Sequence, residues 1–344
     1  MSTPIIELQN VTRTFPLQRN QVITAVHDVS LSIAEGETIC LVGESGCGKT
    51  TMGKLIVDLL KPSQGRILYK GQDIAALNGQ RRKEYRLGVQ LIHQDPYASL
   101  NPTHTVYQML AAPISHHGLA SGEAAIKARV KELLETVELA PASDFLERFP
   151  HQLSGGQRQR VSIARALTVN PSFLVADEAV SMVDVSIRIS LLNTLRKLKE
   201  KMGLSVLFIT HDLALARYFA WEGRIGVMYL GRLVELSPAR QLVEHPQHPY
   251  TRALLSAIPE ADPDVARRKK QVELRSMDIP NLLNLPSGCS FHPRCPVWEG
   301  EQCESVAPTL TFFDDGSGVA CHPVQRQHNQ QNGNIQESHS AKRF

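Results

Sequence analysis

The chain has 344 residues, 42% of them hydrophobic, with a formal net charge of +3 and six cysteines. This length leaves room for about two domains and a sizeable core, and no apolar run approaches the ~18 residues that a membrane helix needs. The opening residues lack the basic and apolar stretches of a secretory leader, so the chain is expected in the cytosol; six cysteines there would not imply a disulfide framework, and so small a net charge gives no argument for a nucleic-acid partner.

In chain order, Ile5 to Val11 and Val29 to Ile33 read as strands separated by a stretch containing Pro, Gln and Asn. Glu35-Gly36-Glu37 reads as a turn. Thr38 to Val42 reads as a fully buried strand, followed by a helical pattern over Met52 to Leu60. Arg66 to Tyr69 and Val89 to His93 are further strands. Residues 97–170 change character: Ile126, Val130, Leu133, Leu134 and Val137 recur at helical spacing, with Lys and Glu on the other face. Strands return at Phe173 to Ala176, Val206 to Ile209 and Ile225 to Met228. A helix is expected between the first two, with Asp184 as N-cap, Ile187, Leu191, Leu195 and Leu198 as its apolar stripe, and Gly203 as its stop. Strands alternating with helices predict an α/β fold, a mostly parallel sheet covered on both faces, with residues 97–170 as a helical insert. From about residue 237 prolines break up any long element. The basic run Arg267 to Lys270 reads as a solvated linker, and residues 324–344, rich in Gln, Asn and His, are expected to be disordered.

The chemistry starts at Gly43-Glu44-Ser45-Gly46-Cys47-Gly48-Lys49-Thr50, which lies between the buried strand and the helical pattern, as a phosphate-binding loop does. Glycine lets consecutive N–H groups turn inward toward phosphate oxygens, and the helix N-terminus adds partial positive charge. Lys49 would reach the β- and γ-phosphates of a nucleotide and Thr50 would ligate Mg²⁺, with Thr51 completing the loop's nucleotide-binding set. The strand Phe173 to Ala176 ends in Asp177, placed to help hold Mg²⁺, and Glu178, placed to polarise an attacking water. Leu153-Ser154-Gly155-Gly156-Gln157 precedes a long helical run and forms a second anion site at a helix N-terminus. One nucleotide is not easily held by both elements of the same chain.

This combination resembles the ATP-binding-cassette family over residues 5–240. The resemblance implies a P-loop NTPase core with an antiparallel β subdomain and a helical insert. It also implies two subunits packed head to tail, each ATP lying between one subunit's phosphate loop and the other's Ser154 to Gln157. Within the family pattern Gln94 matches the glutamine that senses Mg²⁺ and the attacking water, and His211 the histidine that contacts the γ-phosphate. Asp184 matches the acid of the loop crossing the dimer seam, and Phe15 the aromatic that stacks on adenine, a core phenylalanine being its alternative. Two positions depart from the pattern. Ala179 stands where the family usually has Pro, and Ser181-Met182-Val183-Asp184 replaces Ser-Ala-Leu-Asp; both keep the charged groups, so a competent ATPase is expected.

Three further strings are similar to the oligopeptide and dipeptide importers of that family: Gln94 to Pro102, His248-Pro249-Tyr250-Thr251-Arg252 followed by Leu254-Leu255, and the Cys-rich end. The resemblance then spans residues 5–323, with a cassette over 1–240 and an extension over 241–323. It implies a peripheral subunit on the cytoplasmic face of the membrane, partnered by a second ATPase subunit (a paralogue or a copy of itself), two permease subunits and, through them, an extracytoplasmic binding protein. Peptides are the commonest cargo of the group, with nickel and short oligosaccharides also carried. A soluble cassette acting on nucleic acid or ribosomes would need a second cassette or a long coiled-coil insert, and a generic P-loop kinase would lack Leu153 to Gln157.

Cys289, Cys295, Cys303 and Cys321 lie in a Pro-rich, core-poor segment that metal binding could fold. Their spacing departs from the short knuckle of zinc sites, and an iron–sulfur cluster also takes four cysteines; the residues leave both open, and the family resemblance implies a structural [4Fe–4S] cluster. His292 and His322 are alternative ligands or outer neighbours. Cys40 reads as a core residue and Cys47 as part of the phosphate loop.

Overall fold

The computed structural model describes residues 3–17, 21–259, 264, 267 and 271–330. The chain falls into two compact units. Within the described residues the first takes 3–11, 30–39 and 50–210, and the second takes 12–29, 40–49 and 211 onward. The strand Thr38–Val42 is buried at every residue and carries the chain from the first unit to the second.

The first unit is built around parallel strands. Val89–Ile92 pairs with Phe173–Asp177, which pairs with Ser205–Ile209. The last two are buried at every position, which is why they read as unbroken apolar runs. Parallel neighbours require long crossovers. One crossover is the insert, with helices Pro96–Ser99, Val106–His116, Glu123–Thr136 and Gly155–Leu167. The other contains Val185–Met202, which stops at Gly203 in the left-handed region, φ 67°. Asp184 occupies the N-cap position of that helix, but its carboxylate makes no capping hydrogen bond, so the sequence expectation holds for the place and not for the bond. Antiparallel strands complete the unit: Ile6–Val11 lies between Ser30–Ile33 and Gln64–Tyr69. The strands are longer than expected. Ile6–Pro16 and Val22–Ile33 leave a connection of five residues rather than a broad interruption.

In the second unit Arg224–Tyr229 and Arg232–Pro238 form an antiparallel hairpin with an irregularity between Leu233 and Glu235. Gly318–Val319 pairs with Leu236 and Glu235, and Thr311–Phe312 pairs with Gly318–Val319. The extension thus adds strands to the hairpin within this unit. Residues 322–330 are helical, and Val324 is buried with Val319 and Cys321. Disorder was expected from residue 324; the order up to 330 follows from this apolar anchor. The remainder of that tail, 331–344, and Arg268 to Lys270 of the basic run lie outside the described residues. Among the described residues no helix is long and apolar enough to cross a membrane.

Candidate functional site

The phosphate loop is shaped by close backbone approaches that only glycine tolerates. A Cβ on Gly43 would lie 2.2 Å from the Met228 carbonyl oxygen, and one on Gly48 would lie 2.1 Å from that of Ala25. Gly48 also has φ 107°, a region L side chains rarely adopt. Cys47 is buried, as expected of a loop residue facing inward, and burial pushes its thiol pKa up against the lowering effect of Lys49. Ser45 and Gly46 form the exposed tip. Lys49 is buried, and its ammonium donates to the carbonyl oxygens of Gly43 at 2.7 Å and Glu44 at 2.9 Å. The cation therefore sits inside the turn that the glycines create. Thr51 follows in the first turn of the helix Lys49–Ile56.

In the first unit the structure joins two of the predicted pairs. Thr50 Oγ1 donates to Asp177 Oδ1 at 3.0 Å, which puts two oxygen donors of the kind Mg²⁺ prefers side by side. Gln94 Nε2 donates to Glu178 Oε2 at 2.9 Å. Glu178 is held in the left-handed region, φ 45°. Its N–H donates to the Ile209 carbonyl, and its own carbonyl accepts from Ser181 N and Oγ. A non-glycine residue fixed in this way is strained, and strain of this kind clusters at functional sites.

Ser154 caps the helix Gly155–Leu167 reciprocally. Its hydroxyl accepts from Gln157 N at 3.3 Å, and the Gln157 side chain accepts from Ser154 N at 2.9 Å. A Cβ on Gly155 would make only an ordinary contact, 3.9 Å from the Met182 carbonyl oxygen, whereas a Cβ on Gly156 would lie 2.7 Å from Ile187 Cγ2. The first glycine thus leaves the helix start accessible and the second permits packing. His211 and Phe15 belong to the second unit. His211 is exposed, immediately before Asp212, whose carboxylate caps the helix Leu213–Phe219. Phe15 is only part-buried, with the Arg13 guanidinium 4.6 Å from its ring centre, which removes the core reading.

Several residues at the site escaped sequence reasoning. Arg158 stacks 3.7 Å over the exposed Tyr97 ring, and Arg165 donates to the Ser99 carbonyl at 2.5 Å. The loop after Gln94 is thereby strapped to the helix that Ser154 caps. In the second unit Tyr250 Oη accepts from Glu44 N at 3.0 Å, and Arg294 pairs with the Glu44 carboxylate at 3.1 Å. The His-Pro-Tyr string was visible, but nothing local tied it or Arg294 to residue 44.

Cys289, Cys295, Cys303 and Cys321 all carry free thiols. Burial pushes each upward, Cys295 to about 11 and Cys321 to about 12. The other three cysteines add to the push on Cys321, and Cys289 and Cys303 to that on Cys295, so the four lie within electrostatic reach of one another. Among the described residues no group of three or more His, Cys, Asp or Glu is placed to hold a metal ion.

Residues 26–181 match the ABC transporter family, and residues 234–303 match the oligopeptide/dipeptide transporter C-terminal region. The oligopeptide transport ATP-binding protein AppF of Bacillus subtilis is 42% identical over 325 residues, covering 92% of this chain and 97% of that protein. Among solved structures, the dimeric post-hydrolysis state of the ATP-binding cassette MJ0796 bound to ADP and Pi has a TM-score of 0.61 at 33% identity, covering 68% of this chain and 99% of that one. CbiO1 of Clostridium perfringens, part of the transporter complex CbiONQ, shares the fold with a TM-score of 0.61 over 71% of this chain and 92% of its own. With its glycine-shaped loop, the Thr50–Asp177 and Gln94–Glu178 pairs and identity of this extent along most of its length, the chain belongs to the ATP-binding proteins of the oligopeptide and dipeptide ABC transporters.

Proposed function

We propose that the chain is the ATP-hydrolysing subunit of a binding-protein-dependent importer of di- or oligopeptides, acting in pairs at the cytoplasmic face of the membrane. The observation that supports this reading is the hydrogen bonding of Thr50 to Asp177 and of Gln94 to Glu178 within one unit, since it pairs oxygen donors of the kind Mg²⁺ prefers and pairs a carboxylate with an amide that could together orient water.

Lys49 exchanges its loop carbonyls for the β- and γ-phosphates, and the N–H groups of Gly43 to Thr51 surround them. Thr50, Asp177 and Gln94 are the residues for Mg²⁺, which supplies charge neutralisation on the phosphates when bound. Glu178 orients and polarises the attacking water, with His211 contacting the γ-phosphate. Phe15 offers its part-exposed ring to adenine. Ser154, Gly155, Gly156 and Gln157 of the neighbouring subunit close over the triphosphate, and Asp184 lies in the loop at the seam. ATP favours the closed pair only by its differential affinity for it; loss of the γ-phosphate releases it.

The cassette of residues 1–240, its insert of 97–170 and the extension of 241–323 divide the labour. In the insert, the straps from Arg158 and Arg165 to the loop after Gln94 carry the hydrolysis state toward the permease. A groove of about 770 Å³ beside them, lined by Leu91, Met109, Pro113, Arg82, Lys83 and Arg86 among others, suits a short permease helix. Purification with membranes intact, followed by identification of the co-eluting subunits, tests the assignment. Two permease proteins and an ATPase partner are expected; recovery with ribosomes or nucleic acid instead would overturn it.

The extension takes a [4Fe–4S] cluster on Cys289, Cys295, Cys303 and Cys321. What supports the reading is four free thiols, three of which feel the charge of others among them; among the described residues they are not brought together as a ligand group, so a cluster needs them to move closer. Binding would release their protons and stabilise the segment.

A further inference from the structure

Glu44 is an acid inside a loop built to hold a polyanion. The structure grips it three ways, all within the second unit. Its N–H donates to Tyr250 Oη at 3.0 Å, its carbonyl accepts from Lys49 at 2.9 Å, and both its carboxylate oxygens lie 3.1 Å from Arg294 Nη1. Arg294 is itself buried, 6% exposed in its side chain, with Tyr229 Oη 3.3 Å from the same nitrogen. Its guanidinium is flanked by the rings of Tyr229 and Phe291 at 5.7 and 5.8 Å. Tyr250, Phe291 and Arg294 all come from the extension, 206 to 250 residues away from Glu44 along the chain.

We infer that Arg294 is a positioning and charge-compensating residue for the phosphate loop: it cancels the Glu44 carboxylate, so that the loop meets the triphosphate with the charge of Lys49 unopposed. A carboxylate left uncompensated beside the phosphates repels them, and the repulsion acts where partial burial weakens screening by water. The extension thereby sets nucleotide affinity through one ion pair. The inference rests on the ATP reading of the loop.

Equilibrium binding of fluorescent ATP and ADP analogues to full-length protein, with the melting temperature measured in parallel, tests it. R294A should weaken ATP binding about tenfold, equivalent to ~1.4 kcal/mol. The loss should be smaller for ADP, because repulsion grows with ligand charge. In turnover KM should rise with kcat little changed. R294K should retain most of the affinity, and E44Q placed in the R294A background should restore it, because the offending charge is gone. A merely structural staple predicts equal losses for both nucleotides and no restoration, and either result overturns the inference, as does wild-type affinity in R294A. R294Q reads the same quantities if R294A does not fold. Wild-type protein that binds no ATP would overturn the reading of the loop itself.

Discussion

At the scale of single residues, the site combines groups whose roles are local with groups whose roles depend on distant packing. Glycine at 156 is of the second kind. Its missing Cβ is the space occupied by Ile187 Cγ2, on the helix that follows the seam loop. G156A must push Ile187 aside or shift the start of the helix Gly155–Leu167. The expected cost is about 1–3 kcal/mol, read as a lower melting temperature. I187A removes the clashing Cγ2, so G156A should cost less in the I187A background than in the wild type; an unshifted G156A would show that the contact is slack. The loop glycines, Lys49, Thr50, Asp177 and Glu178 were legible in the sequence because their chemistry resides in a short string between a buried strand and a helix. Arg294 was not, because its meaning comes from a carboxylate 250 residues away. Asp184 was read as a cap by its position, yet its side chain makes no capping bond; the composition of a helix start does not say whether the side chain turns inward.

At the scale of elements, the His248-Pro249-Tyr250 string shows one cap with two consequences. His248 Nδ1 accepts from Tyr250 N and so opens the helix Pro249–Ser256, with Pro249 in the first turn. The ring is buried, and burial, with Arg252 nearby, depresses its pKa from 6.5 to about 3 despite an opposing bond to Ala320. The unfolded chain therefore binds a proton between these values that the folded chain refuses. The contribution of neutral His248 to stability is complete above about pH 6.5 and is lost as pH falls toward about 3, by about 5 kcal/mol in full. Glu235 accepts from His248 N, and burial raises its carboxyl pKa; acidification relieves that cost and offsets part of the loss. H248N keeps a capping oxygen without a titrating ring. Its denaturation midpoint should fall less steeply than that of the wild type between about pH 6.5 and 4, and parallel curves would sink the assignment. The same extension carries the cysteines. Iron and sulfide content of anaerobically purified protein should match one cluster per chain and vanish in C295S; stoichiometric zinc would instead favour a mononuclear site. Of the elements, the buried parallel strands were legible because they are apolar throughout. The helix Gly79–Gly88 was not, because Arg81, Arg82, Lys83, Glu84 and Arg86 crowd it and Tyr85 is its one buried side chain. The strands Thr311–Phe312 and Gly318–Val319 are two residues each, too short for any period to register.

At the scale of the whole molecule, the mechanism turns on what Ser154 meets. Within its own chain its hydroxyl is committed to a helix cap, exposed at the helix start. Such a group can bind a phosphate brought to it by another subunit without rebuilding the helix, since the remaining N–H donors of the first turn stay directed outward. ATP held by one chain's Lys49 then becomes the contact surface for the next, and association should depend on the γ-phosphate. Slowing hydrolysis makes this visible. E178Q removes the charge that polarises water while keeping an acceptor for the Gln94 amide, and turnover should fall about 10²–10⁴-fold. With Mg²⁺ and ATP, E178Q should sediment at twice the mass of the single chain, or as a stable pair with a paralogous ATPase subunit; with ADP it should not associate. S154R in the same background should abolish the association, because a bulky side chain fills the place the incoming phosphate must take. If E178Q instead stays monomeric at saturating ATP with either partner, or S154R pairs as readily, the nucleotide is not held between two subunits and the coupling of closure to transport fails with it.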